Sequence, residues 1–167
     1  MLITLADLEL HRIEVSKTYE CGTLDFRCTE FKQSAPLRVK AVAELAGSEI
    51  RLSGHLDARL TATCDRCLAI FDFPVEHDFD LFYRPIETIA RAEEVEVPKE
   101  ELGIGFYSGE GIALADAMAE QVILSVPMKL VCRPDCRGLC PVCGADRNRV
   151  ECQCAPPRKE SPFARLK

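Results

Sequence analysis

Through most of its first eighty residues the chain alternates apolar and polar side chains, the period of a strand with one buried face. Val39, Ala41, Ala43 and Leu45 point one way until Gly47-Ser48, and Ile50 and Leu52 lead to Gly54. Leu56, Ala58, Leu60 and Ala62 then oppose Asp57, Arg59, Thr61 and Thr63. Ile70 and Phe71, followed by Val75, His77, Phe79 and Leu81 against Glu76, Asp78 and Asp80, predict one or two further strands. Residues 2–31 predict two more, from Glu9, Ile13, Val15, Leu24 and Phe26, with a loop around Glu20 to Gly22. The period changes to three and four at Leu114, Ala115, Met118, Val122 and Ile123, which predicts a helix from Leu114 to Ser125, ended by Pro127 and packed on the sheet. Connections this short leave no room for parallel crossovers. The expected fold class is therefore α+β: an antiparallel β meander or small barrel with one main packing helix and a cysteine-rich C-terminal zinc-knuckle tail.

About half of the 167 residues are apolar, enough for one modest core. Residues 1–130 are expected to form a single α+β domain, 131–155 a cysteine-rich module and 156–167 a flexible tail. Within the domain, residues 84–111 carry Pro85, Pro98, five glutamates between Glu93 and Glu101 and four glycines. This composition predicts an exposed connection. The net charge is −6, unevenly spread: residues 131–167 hold eight basic and four acidic side chains, so the remainder carries −10. An acidic body argues against general nucleic-acid binding and leaves only the tail able to touch phosphates.

Six of the ten cysteines lie within residues 132–154. Cys140-Pro141-Val142-Cys143-Gly144 is a knuckle in which a two-residue spacer lets two sulfurs converge on one ion and the glycine turns the backbone back toward it. Cys152 and Cys154 are the nearest complementary pair, so Cys140, Cys143, Cys152 and Cys154 are the first choice for a structural zinc site. Cys132 and Cys136, with the distant Cys64-Asp65-Arg66-Cys67, supply second pairs that could tie the tail to the sheet or hold a second zinc. The start of the chain has no basic lead and no long apolar run, and no later stretch reaches the length of a membrane helix. A cytoplasmic protein is expected, in which clustered thiols stay reduced and favour metal over disulfides. Cys21 and Cys28 have no short-spaced partner and are expected to be ordinary half-buried thiols.

Nothing nominates a catalytic residue. A four-thiolate zinc site has no open position for water. His11, His55 and His77 open no His-x-Glu of a zinc deaminase, and there is no Gly-x-Ser-x-Gly, phosphate loop or His-Glu-x-x-His. Cys64 and Cys67 could form a redox dithiol, but that motif needs a helix N-terminus after the strand, and here a second strand is expected. No internal repeat is evident.

Taken in order, Cys64-Asp65-Arg66-Cys67-Leu68, the helix ending Ile123-Leu124-Ser125-Val126-Pro127, Cys136-Arg137-Gly138-Leu139-Cys140-Pro141-Val142-Cys143-Gly144 and Ser161-Pro162-Phe163-Ala164-Arg165-Leu166 resemble the bacterial YceD family from about residue 37 onward. The resemblance implies a non-enzymatic role in accumulation of 23S ribosomal RNA and assembly of the large ribosomal subunit. Family members differ in their C-terminal cysteines, which implies that metal reinforces the tail locally. An acidic chain without tryptophan fits RNA poorly. The expected partner is accordingly a basic ribosomal protein or assembly factor, with Arg66, Arg133, Arg137, Arg147 and Arg149 as candidate contacts to RNA or partner; no membrane and no small-molecule substrate are expected. The alternatives are a zinc-stapled interaction module unrelated to ribosomes and a Cys-x-x-Cys redox protein.

Overall fold

The computed structural model describes residues 1–27, 30–47, 49–88 and 103–155. Three long strands dominate it: β3 (Phe31–Ala46), β4 (Glu49–Thr63) and β5 (Ile70–Pro85). They pair antiparallel in sequence, with β2 (Ile13–Tyr19) on the outer side of β3. β6 (Ile104–Tyr107) closes the order β2-β3-β4-β5-β6 by pairing parallel with β5, Phe82 opposite Ile104. Among the described residues the sheet is open, with β2 and β6 at its edges, a meander and not a closed barrel. A separate two-stranded sheet joins β1 (Leu2–Thr4) to β7 (Gly111–Ala113). With α1 (Leu5–Leu10) and α2 (Leu114–Ser125), the fold is α+β.

The alternating pattern sets the layers. Leu37, Val39, Ile50, Leu52, Leu56 and Leu60 share one sheet face and are at most 1% exposed. Leu114, Met118 and Val122 of α2 join them in one core together with Ile3 and Leu8. Each such side chain contributes about 1.5–3 kcal/mol when fully buried. The opposite face is charged and cross-linked across strands. The Arg51 guanidinium donates to both Asp80 carboxylate oxygens, at 2.8 and 3.0 Å, and to Glu44 at 3.3 Å; His55 meets Asp78 at 2.7 Å. The Arg51 guanidinium holds the exposed Asp80 carboxyl below its ordinary range.

Four expectations are corrected. Glu9 belongs to helix α1, because Thr4 caps it: the Asp7 amide donates to the Thr4 hydroxyl oxygen at 3.2 Å and the Thr4 hydroxyl donates to the Asp7 carboxylate at 2.6 Å. Leu24 and Phe26 are buried, but they lie in an irregular segment. Residues 84–111 are not all connection, since Ile104–Tyr107 forms β6 and Tyr107 is 7% exposed. Parallel pairing of β6 with β5 likewise departs from the all-antiparallel expectation; the intervening acidic run falls outside the described residues, as do Cys28 and residues 156–167. Ile70 to Pro85 is one strand, and β4 runs unbroken through Gly54.

Candidate metal centres

The β4–β5 turn and the segment after α2 meet at one end of the sheet. The Asp65 amide donates to the Leu130 carbonyl at 2.8 Å, and the Leu130 amide returns a bond to the Asp65 carboxylate at 2.7 Å. This reciprocal pair carries residues 131–136 across the turn. Cys64, Cys67, Cys132 and Cys136 thereby converge, with all four sulfurs within 4.8 Å of one another. Cys64 Sγ lies 3.9 Å from Cys136 Sγ, and Cys67 Sγ lies 3.7 Å from Cys132 Sγ. These separations are far beyond a disulfide bond of about 2.05 Å. They match the edge, about 3.8 Å, of a tetrahedron of sulfurs about 2.3 Å from a central ion. Ala69, Phe71 and Val131 pack against this set.

Cys140, Cys143, Cys152 and Cys154 form a second set with the same spread of sulfurs. It is more open: Cys140 is buried, Cys152 half-buried, Cys143 and Cys154 exposed. Either set could hold one metal ion, and the two are distinct. Cys21 joins neither and is exposed, not half-buried as expected.

The two Cys-x-x-Cys turns share one backbone design. In the first, the Leu68 amide donates to the Cys64 carbonyl at 2.9 Å and the Cys64 amide to the Ala69 carbonyl at 2.9 Å. In the second, Gly144 and Ala145 make the same bonds with Cys140, at 2.9 and 2.8 Å. Residue five must adopt positive φ in both: Gly144 at 72° and Leu68 at 59°. Beyond the paired cysteines, the two turns share only Ala69 and Ala145 in sequence, too slight a trace to read as a repeat. A leucine in the left-handed region costs about 1–2 kcal/mol, and Leu68 is 61% exposed, so its side chain adds little packing in return. Leu68→Gly is expected to raise stability by about 1 kcal/mol, read as an upward shift of the denaturant midpoint with unchanged m-value.

Hydrogen bonds lower two thiols in the first set, Cys64 and Cys136, and one in the second, Cys140. Burial pushes the Cys64 thiol up, but hydrogen bonds from the amides of Cys132, Cys67 and Arg66 outweigh it and bring it down to about 6. The amides of Cys143 and Val142 bring Cys140 down to about 6. Cys132 is pushed up to about 12, first by burial, and Cys154 to about 12, first by its hydrogen bond with Cys143. Each set thus combines lowered thiols, Cys64 and Cys136 in the first and Cys140 in the second, with raised ones whose protons an incoming ion would displace. β4 enters the Cys64 turn and β5 leaves it, so this dithiol lacks the helix N-terminus of a thioredoxin-like site.

The tail docks on the turn through Gly138, whose φ is 68°. A Cβ there would stand 2.8 Å from the Arg66 carbonyl oxygen, which instead accepts the Leu139 amide at 2.9 Å. The Arg66 guanidinium donates to the Cys136 carbonyl at 3.0 Å. The remaining candidate arginines are less free than their sequence suggests. Arg133 pairs with Asp135, Arg137 with Glu151 and Arg149 with Asp146, while Arg147 has no ion pair among the described residues. Missed by the sequence were Asp65 and Asn148, whose bonds to Leu130 and Cys136 exist only once the segments meet, and Asp146, which holds Asn148 locally.

The fold is thus an α+β sheet with two four-cysteine clusters, each able to hold one metal ion. Among the described residues no helix is long and apolar enough to cross a membrane. The family described as large ribosomal RNA subunit accumulation protein YceD matches residues 52–167, and the chain belongs to that family. It is 32% identical over 108 residues to an uncharacterized protein of Mycobacterium tuberculosis, covering 65% of this chain and 48% of that one. An uncharacterized protein of Mycobacterium leprae is 27% identical over 111 residues, covering 66% and 48%. The chain thus spans about half the length of the curated relatives it matches. No solved structure matches it.

Proposed function

We propose that the protein is a non-enzymatic factor supporting accumulation of 23S ribosomal RNA and assembly of the large ribosomal subunit, working in the cytoplasm through contact with a basic ribosomal protein or assembly factor. The observation that carries this reading is the family match over residues 52–167, which takes in both cysteine sets and helix α2. A protein partner is favoured over RNA because the chain is acidic overall and three of the five candidate arginines are held by local carboxylates. Depleting the protein in its own cells is expected to reduce mature 23S RNA and to accumulate large-subunit precursors with which the protein cosediments. Normal precursor levels and a normal subunit profile would sink the assembly role.

Both cysteine sets hold structural zinc in this reading. Zinc favours four thiolates in a tetrahedron; sulfur edges of 3.7 and 3.9 Å in the first set suit it, and the second set's sulfurs lie within 4.8 Å of one another. Cys64, Cys67, Cys132 and Cys136 would tie the tail to the sheet, and Cys140, Cys143, Cys152 and Cys154 would close the tail on itself. When bound, the ion neutralises converging thiolates and cross-links segments distant in sequence. Four sulfur ligands leave no coordination position for a substrate, which supports a scaffold over a catalyst. Metal analysis of protein purified under reducing conditions is expected to find one zinc per set.

A further inference from the structure

The two cysteine sets are bridged by one side chain. Asn148 lies in the loop between Cys143 and Cys152, the loop that the second set closes. Its side-chain amide donates to Cys136 Sγ of the first set at 3.4 Å and to the Asp146 carboxylate at 2.7 Å. Its side-chain oxygen accepts from the Arg137 amide at 2.8 Å and from the Arg133 guanidinium at 2.9 Å. The Asn148 backbone amide donates to the same Asp146 oxygen at 2.9 Å, so residue and rotamer are fixed together. The loop is also pinned to the first set's flank, for the Arg147 amide donates to the Gly138 carbonyl at 3.0 Å and Leu139 bridges to Asp146.

We infer that Asn148 couples the two sites: an ion in the second set fixes the loop that holds the Asn148 amide on Cys136, so each set binds metal more tightly when the other is loaded. This rests on the reading of both sets as metal sites. A hydrogen bond to a bound thiolate stabilises it and orients its lone pairs, and loss of such an outer partner costs about 10–100-fold in metal affinity. The bond depends on the loop. Gly144, Ala145 and Asp146 anchor its start through backbone bonds. Its far end is tied by the Arg137–Glu151 ion pair and by the convergence of Cys152 and Cys154 on the second set. Emptying that set frees the far end and loosens the loop that carries the donor to Cys136. Linkage makes the effect mutual, by the same factor in both directions.

The test loads the full chain with cadmium, whose NMR resonance reports each four-sulfur set separately, and removes the ions by chelator titration. Disabling the second set with Cys152→Ser and Cys154→Ser is expected to weaken cadmium at the first set about ten-fold. Asn148→Ala in the otherwise intact chain is expected to produce the same loss, and to add little once the second set is disabled. Asn148→Asp keeps an oxygen acceptor for the Arg137 amide but removes the donor, and is expected to weaken the first set at least as much. The coupling is overturned if either Asn148 variant leaves the first set at full affinity, or if the alanine and serine effects add in full. A chain that takes up no cadmium, or one ion only, instead defeats the two-site reading and the coupling with it.

Discussion

Stripping metal from the reduced protein with a strong chelator is expected to abolish amide protection throughout residues 131–155 while leaving β3 and β4 protected in hydrogen exchange. The energetic asymmetry is large. Structural zinc binds finger peptides with an apparent free energy of about 10–16 kcal/mol at neutral pH, whereas the amide bonds that dock this module contribute about 1 kcal/mol each. Within residues 131–155 only Cys136, Gly138 and Cys140 are buried, so the module has almost no apolar core of its own. The sheet keeps a core of its own in Leu37, Val39, Ile50, Leu52, Leu56 and Leu60, none of which touches the cysteine cluster. Loss of protection should therefore stop at the sheet: the amides of Leu139, Cys140 and Arg147 exchange freely, and that of Asp65, which bonds to Leu130, exchanges faster. Verified metal loss with Leu139 and Arg147 still protected would mean that hydrogen bonding alone holds the module, and the staple reading would fail.

That division between sheet and module marks where the sequence was legible. Alternation is a local signal, and it located Leu56 to Ala62 and the core face of β3 without help; the three-and-four spacing located Leu114–Ser125. Local signals misled where two of them competed. Glu9 and Ile13 fit a strand, but Thr4 with Asp7 caps a helix first. Gly103, Gly105, Gly109 and Gly111 read as loop, yet β6 and β7 use Gly105 and Gly111 where neighbours approach closely: a Cβ would meet the Tyr83 ring at 2.7 Å and the Ile3 carbonyl oxygen at 1.9 Å. The pair spacings Cys64-x-x-Cys67 and Cys140-x-x-Cys143 were visible as knuckles. Which pair completes each was a question of tertiary contact, answered by the bonds between Asp65 and Leu130 and between Arg66 and Leu139. Asn148 had no local signature at all, since an asparagine in a polar loop is ordinary until its partner sulfur, 12 residues earlier, folds beneath it.

Gly54→Val is expected to destabilise the protein by about 3 kcal/mol, more than most single substitutions outside the cysteine sets. By pattern alone valine suits the site, since position 54 continues the inward series Ile50, Leu52, Leu56, Ala58 and Leu60 in the middle of a long strand. Propensity favours it too, because glycine weakens a strand interior and β-branched residues strengthen one. The close approach of β3 decides otherwise. A Cβ at position 54 would stand 2.2 Å from the Lys40 carbonyl oxygen and 2.7 Å from the Ala41 Cα, both backbone atoms that cannot rotate away. Gly54 pairs directly with Ala41 and Phe79, so making room means parting β4 from β3 at the centre of the sheet. The ladder bonds there would lengthen, and the packing of Val39, Leu52 and Leu56 beside them would open. Gly54→Ala should show most of the loss, because the first carbon already makes the clash. Chemical denaturation reads both: a midpoint for either variant equal to that of the parent chain would show that β3 can shift at no cost, and that Gly54 is a strand residue like its neighbours.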